Sequence, residues 1–227
     1  MSSTRLPGKA VVDVGGEPML MLLLRRLQRA RELHRIVVAT STEPADDRIE
    51  QVARQVVTNV YRGPLDDVLA RFVGAASDHT GPLVRVTADC PLIDPAVVDQ
   101  TIRLFERTPG CAYASNVEPR SYPVGLDVEV FSTATLERAA AEADDPADRE
   151  HVTALIRRNL SQFRSATLVC EHQLSSLRWT VDSAADVEFV RAVVARLGAR
   201  RHTAGLREIL AAVRAEPSLA GFHGRRG

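Results

Sequence analysis

The sequence predicts an α/β fold of the doubly wound type, a mostly parallel sheet with helices on both faces. Three observations carry that expectation. Short β-rich apolar runs alternate with longer stretches whose apolar residues recur every three or four positions, the pattern of successive strand–helix units. Asp94-Pro95 and Asp145-Pro146 each set an N-cap residue and a first-turn proline at the head of a helical stretch. The chain has 227 residues, 45% of them apolar, which is enough for one substantial core. One domain over residues 1–215 is expected, with 216–227 a frayed tail.

The strand runs, in order, are RIVVAT (35–40), VVTNVY (56–61), LVRVTA (83–88), DVEVF (127–131) and LRWTV (177–181). Weaker runs lie at 111–115 and 166–170. The first helical stretch, 18–33, carries Leu20, Leu23, Leu24, Leu27 and Ala30 on one face. Further helices are expected at 46–55, 66–77, 95–107, 133–143, 146–160, 184–197 and 203–214.

Composition removes several function classes. Lys plus Arg and Asp plus Glu are equal at 29 each, so no global field recruits nucleic acid or a membrane surface. Aromatic residues make up only 4% of the chain, too few for base-stacking platforms. Cys90, Cys111 and Cys170 form no CxxC pair, which suits a reducing cytoplasm. The apolar run at 19–24 is too short for a signal peptide core or a membrane span.

In a doubly wound sheet, ligands bind beyond the carboxyl ends of the strands. Those positions hold STEPADD (41–47), Asp89-Cys90-Pro91 and Asp182. Asp89 and Asp182 are candidates to share one magnesium ion, which is typically held by one or two carboxylates plus substrate phosphates. Both also read as helix N-caps, and the residues alone leave that open. The opening loop MSSTRLPGK (1–9) offers hydroxyls, Arg5 and Lys9 to a polyphosphate. It is not a Walker A loop, because Ala10 follows Lys9, and it lacks GxGxxG. A solvated polar terminus is the alternative.

Eight blocks occur together in a telling order: STRLPGK, GGEPML (15–20), VVATSTEPADDRI (37–49), YRGPLDDVLARF (61–72), VRVTADCPLIDP (84–95), YPVGLDVEVF (122–131), REHVT (149–153) and WTVDSAADVEFV (179–190). In them the chain resembles the cytidylyltransferases of spore-coat polysaccharide synthesis, whose wider relatives are the acylneuraminate cytidylyltransferases and CMP-Kdo synthetases. The resemblance runs from residue 1 to about 195. It implies a Rossmann-like nucleotidyltransferase fold and magnesium-dependent transfer of CMP from CTP to a sugar acid or related hydroxyl or phosphonate, with pyrophosphate released.

By position, the resemblance assigns Ser3, Thr4, Arg5, Gly8 and Lys9 to the CTP triphosphate, and Asp89 and Asp182 to the metal. Arg62, Asp67 and Arg71 fall in the segment that approaches the nucleotide in relatives. Asn116, Asp127, Glu129, Glu150 and His151 are acceptor-side candidates. Plainer readings stand beside these: surface charge for Arg62 and Arg71, helix support for Asp67, an exposed helix face for His151, and strand alternation for Asp127 and Glu129. Cys90 reads as a buried filler and Trp179 as core. A cytoplasmic homodimer is expected, with no nucleic-acid or membrane partner. A catalytically silent nucleotide-binding paralogue is the alternative function, and another nucleoside triphosphate is open.

The family's first loop follows a short hydrophobic strand ending in Ala-Arg, and its next methionine aligns with Met1. The resemblance therefore implies that this central strand and its arginine are missing here, with a start at an internal methionine as the expected explanation and a genuinely truncated, impaired chain as the alternative. Four or five buried aliphatic side chains are worth roughly 10 kcal/mol. That is comparable to a domain's whole net stability of ~5–15 kcal/mol. A gap is expected between the strands at 35–40 and 83–88.

Overall fold

A computed structural model describes residues 6–216 and Leu219. The chain enters through a short 3-10 turn, Lys9–Val11, and then helix α1, Met19–Leu27. Apolar residues surround α1 almost completely, so it lies buried in the interior. Strand β1 (Val37–Ser41), helix α2 (Asp47–Ala53) and strand β2 (Asn59–Gly63) form a strand–helix–strand unit of the expected kind, with β1 and β2 parallel from Val37↔Asn59 to Ser41↔Gly63.

Helix α3 (Val68–Ala75) leads to a second sheet built from β3 (Pro82–Arg85), β4 (Tyr113–Ser115), β5 (Glu129–Ser132) and β6 (Ser165–Thr167) in the order β3-β5-β4-β6. The α/β class is as expected. Within it β4 and β6 are parallel, while β5 runs antiparallel to both of its neighbours. Successive residues point to opposite faces: Ala114 and Val130 join the core formed with α1, α4 (Pro95–Arg107), α8 (Ala184–Leu197) and α9 (Leu206–Arg214), and Tyr113 and Phe131 join a smaller core with α3, α5 (Thr133–Glu142) and α7 (Ala154–Arg158).

Two expected elements are corrected. The run at 177–181 forms no ladder. Its backbone is tied instead by single bonds, Val124 N to Leu177 O, Trp179 N to Val124 O and Val181 N to Asp89 O. Gly125 permits this close crossing, since its φ is +107° and a Cβ there would meet the Trp179–Thr180 backbone at 2.8 Å. The stretch at 146–160 is two helices, α6 (Pro146–Glu150) and α7, broken where Val152 takes a φ of +48°. A β-branched residue seldom adopts that conformation. Val152 is fully buried there.

The two sheets do not join. Among the described residues no strand lies against the free edge of β1 or of β3, and a groove of about 530 Å³ separates them. This is the gap expected between the strands at 35–40 and 83–88. No helix among the described residues is long and apolar enough to cross a membrane.

The end of β1 is fixed by a buried carboxylate. Asp46 accepts from Thr40 Oγ1 at 2.8 Å, Ser41 Oγ at 2.6 Å and Ser41 N at 3.1 Å. Burial alone would raise its pKa, but hydrogen bonds, those from Ser41 and Thr40 among them, outweigh burial and hold it at about 2. A depressed carboxyl pKa adds stability above its unfolded value near 4, and that stability fades as pH falls toward 2. The size is about 2 kcal/mol. Asp46→Asn is therefore expected to lower Tm at neutral pH by roughly 4 °C or more and to flatten the melting curve's pH dependence between pH 4 and 2. An unchanged acid slope in a thermal-melt series would assign that dependence to other carboxylates.

Candidate active site

The site is built where the first loop meets the ends of two extended segments. Gly8, at φ +72°, takes the left-handed conformation that starts the 3-10 turn. The turn delivers Lys9. Its Nζ donates to Asp89 Oδ2 at 3.1 Å, Asp182 Oδ1 at 2.9 Å and the Val181 carbonyl at 2.9 Å. Three acceptors match the three ammonium protons. All three charged side chains are about a quarter exposed or less, so the cluster sits in a cleft rather than on the open surface. Burial works against the Lys9 charge, but Asp89 and Asp182 outweigh it and its pKa stays above the ordinary lysine value.

The supports of the two aspartates explain their aim. Asp89 follows β3, accepts from Thr87 Oγ1 at 2.5 Å and uses its backbone carbonyl to hold Val181 N at 2.9 Å. Asp182 accepts from Arg178 Nη2 at 2.6 Å, and Arg178 is shared with Asp186 at 2.8 Å. Neither aspartate caps a helix. Asp94 caps α4 through Ala96 N, and Ser183 caps α8 in a reciprocal capping box with Asp186. The N-cap alternative read from sequence is thereby replaced.

Thr87, Arg178 and Asp186 were not singled out from the sequence. Asp186 had a readable signal, since Ser183-Ala184-Ala185-Asp186 is a capping-box pattern at a helix start. Thr87 and Arg178 had none, because their partners are set by where strands end in space. Cys90, beside Asp89, is buried, and that burial pushes its thiol pKa well up. It is a filler, as expected, and so is the fully buried Trp179.

Ser3, Thr4 and Arg5 lie outside the described residues. Arg62 is engaged elsewhere: it braces the loop after β1 through Ser41 O at 2.7 Å, Glu43 O at 2.8 Å and Asp47 at 2.6 Å. Asp67 caps α3 through Ala70 N at 2.8 Å and accepts from Arg149 at 2.9 Å, the helix-support reading. Arg71 donates to Pro64 O at 2.8 Å and borders the groove between the sheets, where burial lowers its pKa.

The acceptor-side candidates divide by burial. Asn116 is fully buried, and its amide stands in for backbone, donating to Leu126 O at 2.6 Å and accepting from Val128 N at 2.9 Å. Glu129 is buried at the centre of a network, accepting from Arg85, from Tyr113 Oη at 2.7 Å and from Thr153 Oγ1 at 2.7 Å. Asp127 forms a two-pronged pair with Arg120 at 2.5 and 2.9 Å. Glu150 and His151 end α6 and are exposed. The structure thus gathers Lys9, Asp89 and Asp182 at one point.

Comparison with known proteins gives the family. The profile of a family described as cytidylyltransferase matches residues 1–204. The chain is 29% identical to the spore coat polysaccharide biosynthesis protein SpsF of Bacillus subtilis over 88% of its length and 85% of that protein. It is 36% identical to 3-deoxy-manno-octulosonate cytidylyltransferase of Geobacter sulfurreducens over 48% of its length and 43% of that protein. A solved cytidylyltransferase from Leptospira borgpetersenii superimposes with a TM-score of 0.93 at 28% identity, covering 100% of this chain and 95% of that one. The chain belongs to the cytidylyltransferase family.

Proposed function

We propose that the protein transfers CMP from CTP to a hydroxyl of a sugar acid or a related acceptor, releasing pyrophosphate, in glycoconjugate or secondary-metabolite assembly. The observation that carries this reading is the convergence of Asp89 and Asp182 on one cation, the Lys9 ammonium, in a cleft at the strand ends. Attack on the α-phosphorus needs positioning and charge neutralisation more than covalent help. In this reading Lys9 leaves its place between the carboxylates and turns to the leaving phosphates, where its charge offsets what builds there. Thr87 and Arg178 keep the two carboxylates aimed once the lysine has moved.

The donor set fits magnesium. Two carboxylate oxygens already meet at one cation, and substrate phosphates would complete the shell. When bound, the metal would neutralise phosphate charge and acidify the attacking hydroxyl. Three free cysteines support a cytoplasmic setting.

The test is pyrophosphate release from CTP, UTP and ATP across a panel of sugar acids and phosphonates, with nucleotide binding measured in parallel. CTP-selective release with one acceptor class is expected. Absence of both CTP binding and turnover would overturn the reading, and CTP binding without turnover on any acceptor would favour a silent paralogue.

A further inference from the structure

Glu17, in the GGEPML stretch, takes no part in the triad, yet it is the hub of a second charged cluster. Only 4% of its side chain is exposed, and three cationic side chains converge on its carboxylate. Oε2 accepts from Arg25 Nη1 at 2.9 Å, while Oε1 accepts from Arg201 Nε at 3.1 Å and His202 Nε2 at 2.7 Å. The turn ahead of α1 supplies Glu17, the last turn of α1 supplies Arg25, and the 3-10 turn Gly198–His202 supplies the other two. Arg26, next to Arg25, locks these elements together by donating to the Arg201 carbonyl.

Charge does not balance here. Elsewhere arginines meet carboxylates one to one, as in Arg35–Asp78, Arg120–Asp127 and Arg158–Asp148. Arg25 and Arg201 instead share the single carboxylate of Glu17. Arg29, four residues after Arg25, is exposed and has no ion-pair partner among the described residues. Glu208 is taken by Arg200. The carboxyl end of α1 adds roughly half a negative charge. Three guanidiniums thus outweigh one carboxylate and a helix end, before His202 is counted.

The excess lies in a concavity. Arg25, Gln28, Arg29 and His202 border a pocket of about 470 Å³ with no acidic side chain in its lining. That volume falls within the ~300–1,000 Å³ of small-molecule sites. A guanidinium carries several N–H donors, and Arg25 gives Glu17 only part of its fork. Planar forks of this kind match phosphate oxygens two at a time. Gln28 is fixed at the rim by its bond to Val56 O at 2.9 Å.

We propose that this pocket is an anion site that shares no residue with the Lys9 triad, and that it takes the phosphate group of a small phosphorylated molecule or of pyrophosphate. Arg25 and Arg29 clamp the phosphate oxygens, and buried Glu17 holds Arg25 and His202 in place. The proposal does not depend on which reaction the triad carries out.

The experiment titrates the protein with inorganic phosphate, pyrophosphate and a sugar phosphate at constant pH and ionic strength. Binding is read by NMR at the His202 ring nitrogens and the arginine Nε–H groups. At least one of the three is expected to shift the His202 signal saturably, with a Kd of ~1 mM or tighter. The tightest of them tells whether free or esterified phosphate is the ligand. Arg29→Gln, at an exposed and unpaired position where the fold has little to lose, is expected to weaken that binding at least ~10-fold. Absence of a saturable His202 shift with all three, or an equal shift with chloride, would overturn the proposal. So would an unchanged Kd in Arg29→Gln. Anion binding at the triad would move the Lys9 signal instead, and no readout uses turnover, so failure here is distinguishable from failure of cytidylyl transfer.

Discussion

Asp89→Asn and Asp182→Asn are each expected to lower kcat by at least ~100-fold while leaving the thermal melt close to that of the parent chain. Asparagine keeps the size of the carboxylate and one acceptor oxygen, so the Thr87 contact to Asp89 or the Arg178 contact to Asp182 can persist. What it removes is charge, at the point where both carboxylates meet one cation. Lys9→Met should separate the lysine's two jobs. Without the ammonium, two carboxylates are left facing each other with nothing between them, and a divalent ion then binds without having to displace it. Apparent magnesium affinity is expected to rise in Lys9→Met while kcat falls by ~100-fold or more, because the phosphates lose a cation. Steady-state rates across a magnesium titration measure both effects. A near-parent rate for Asp182→Asn at saturating magnesium would remove Asp182 from the site. Unchanged magnesium dependence in Lys9→Met would make the lysine a structural tie only.

Asp89 and Asp182 were legible in the sequence because each follows a strand run, a position the fold class already marks, and Lys9 because the resemblance points to its loop. Helices α4 and α8 fall at the expected bounds for an equally local reason, since their starting residues satisfy their own backbone amides. What the sequence hid is non-local. Glu129 alternates with valines as any half-exposed strand residue would, and only the register of β3, β4 and β5 brings Arg85 and Tyr113 onto it. The break at Val152 had no glycine or proline to mark it. Its neighbour Thr153 donates to Glu129, a partner from another part of the chain. Arg62 was misleading in the opposite sense. The resemblance placed it in the segment that approaches the nucleotide, but here the acidic loop after β1 lies within its reach and takes it.

Arg26 is the extreme case of a residue whose role the sequence conceals, and its replacement is expected to have the largest effect on stability. An arginine in a leucine-rich helix reads as the solvated face, yet Arg26 is fully buried. Its guanidinium donates to Ile93 O at 2.8 Å, Ala204 O at 2.6 Å, Leu92 O at 3.4 Å and the Arg201 carbonyl. Burial lowers its pKa to about 10, against the raising fields of Asp94 and Glu208, so it remains charged at neutral pH. The planar fork thus ties α1 at once to the 92–93 turn behind Asp89 and to the segment ahead of α9. Arg26→Met fills much of the same volume but leaves these buried carbonyls without donors, at about 1–3 kcal/mol for each one left unsatisfied. Two or three such losses amount to roughly 3–5 kcal/mol, a large share of a typical domain's ~5–15 kcal/mol. For a chain of this size that corresponds to a fall in Tm on the order of 10 °C. Arg26→Lys keeps the charge but presents its protons from a single point, which cannot span carbonyls on two separate segments, so an intermediate loss is expected. Denaturant unfolding of both variants, with kcat measured well below their melting temperatures, gives the comparison. Arg26 touches none of the triad, so kcat in the folded fraction should hold, and a stability loss below about 1 kcal/mol in Arg26→Met would show that water or backbone movement satisfies those carbonyls without the arginine.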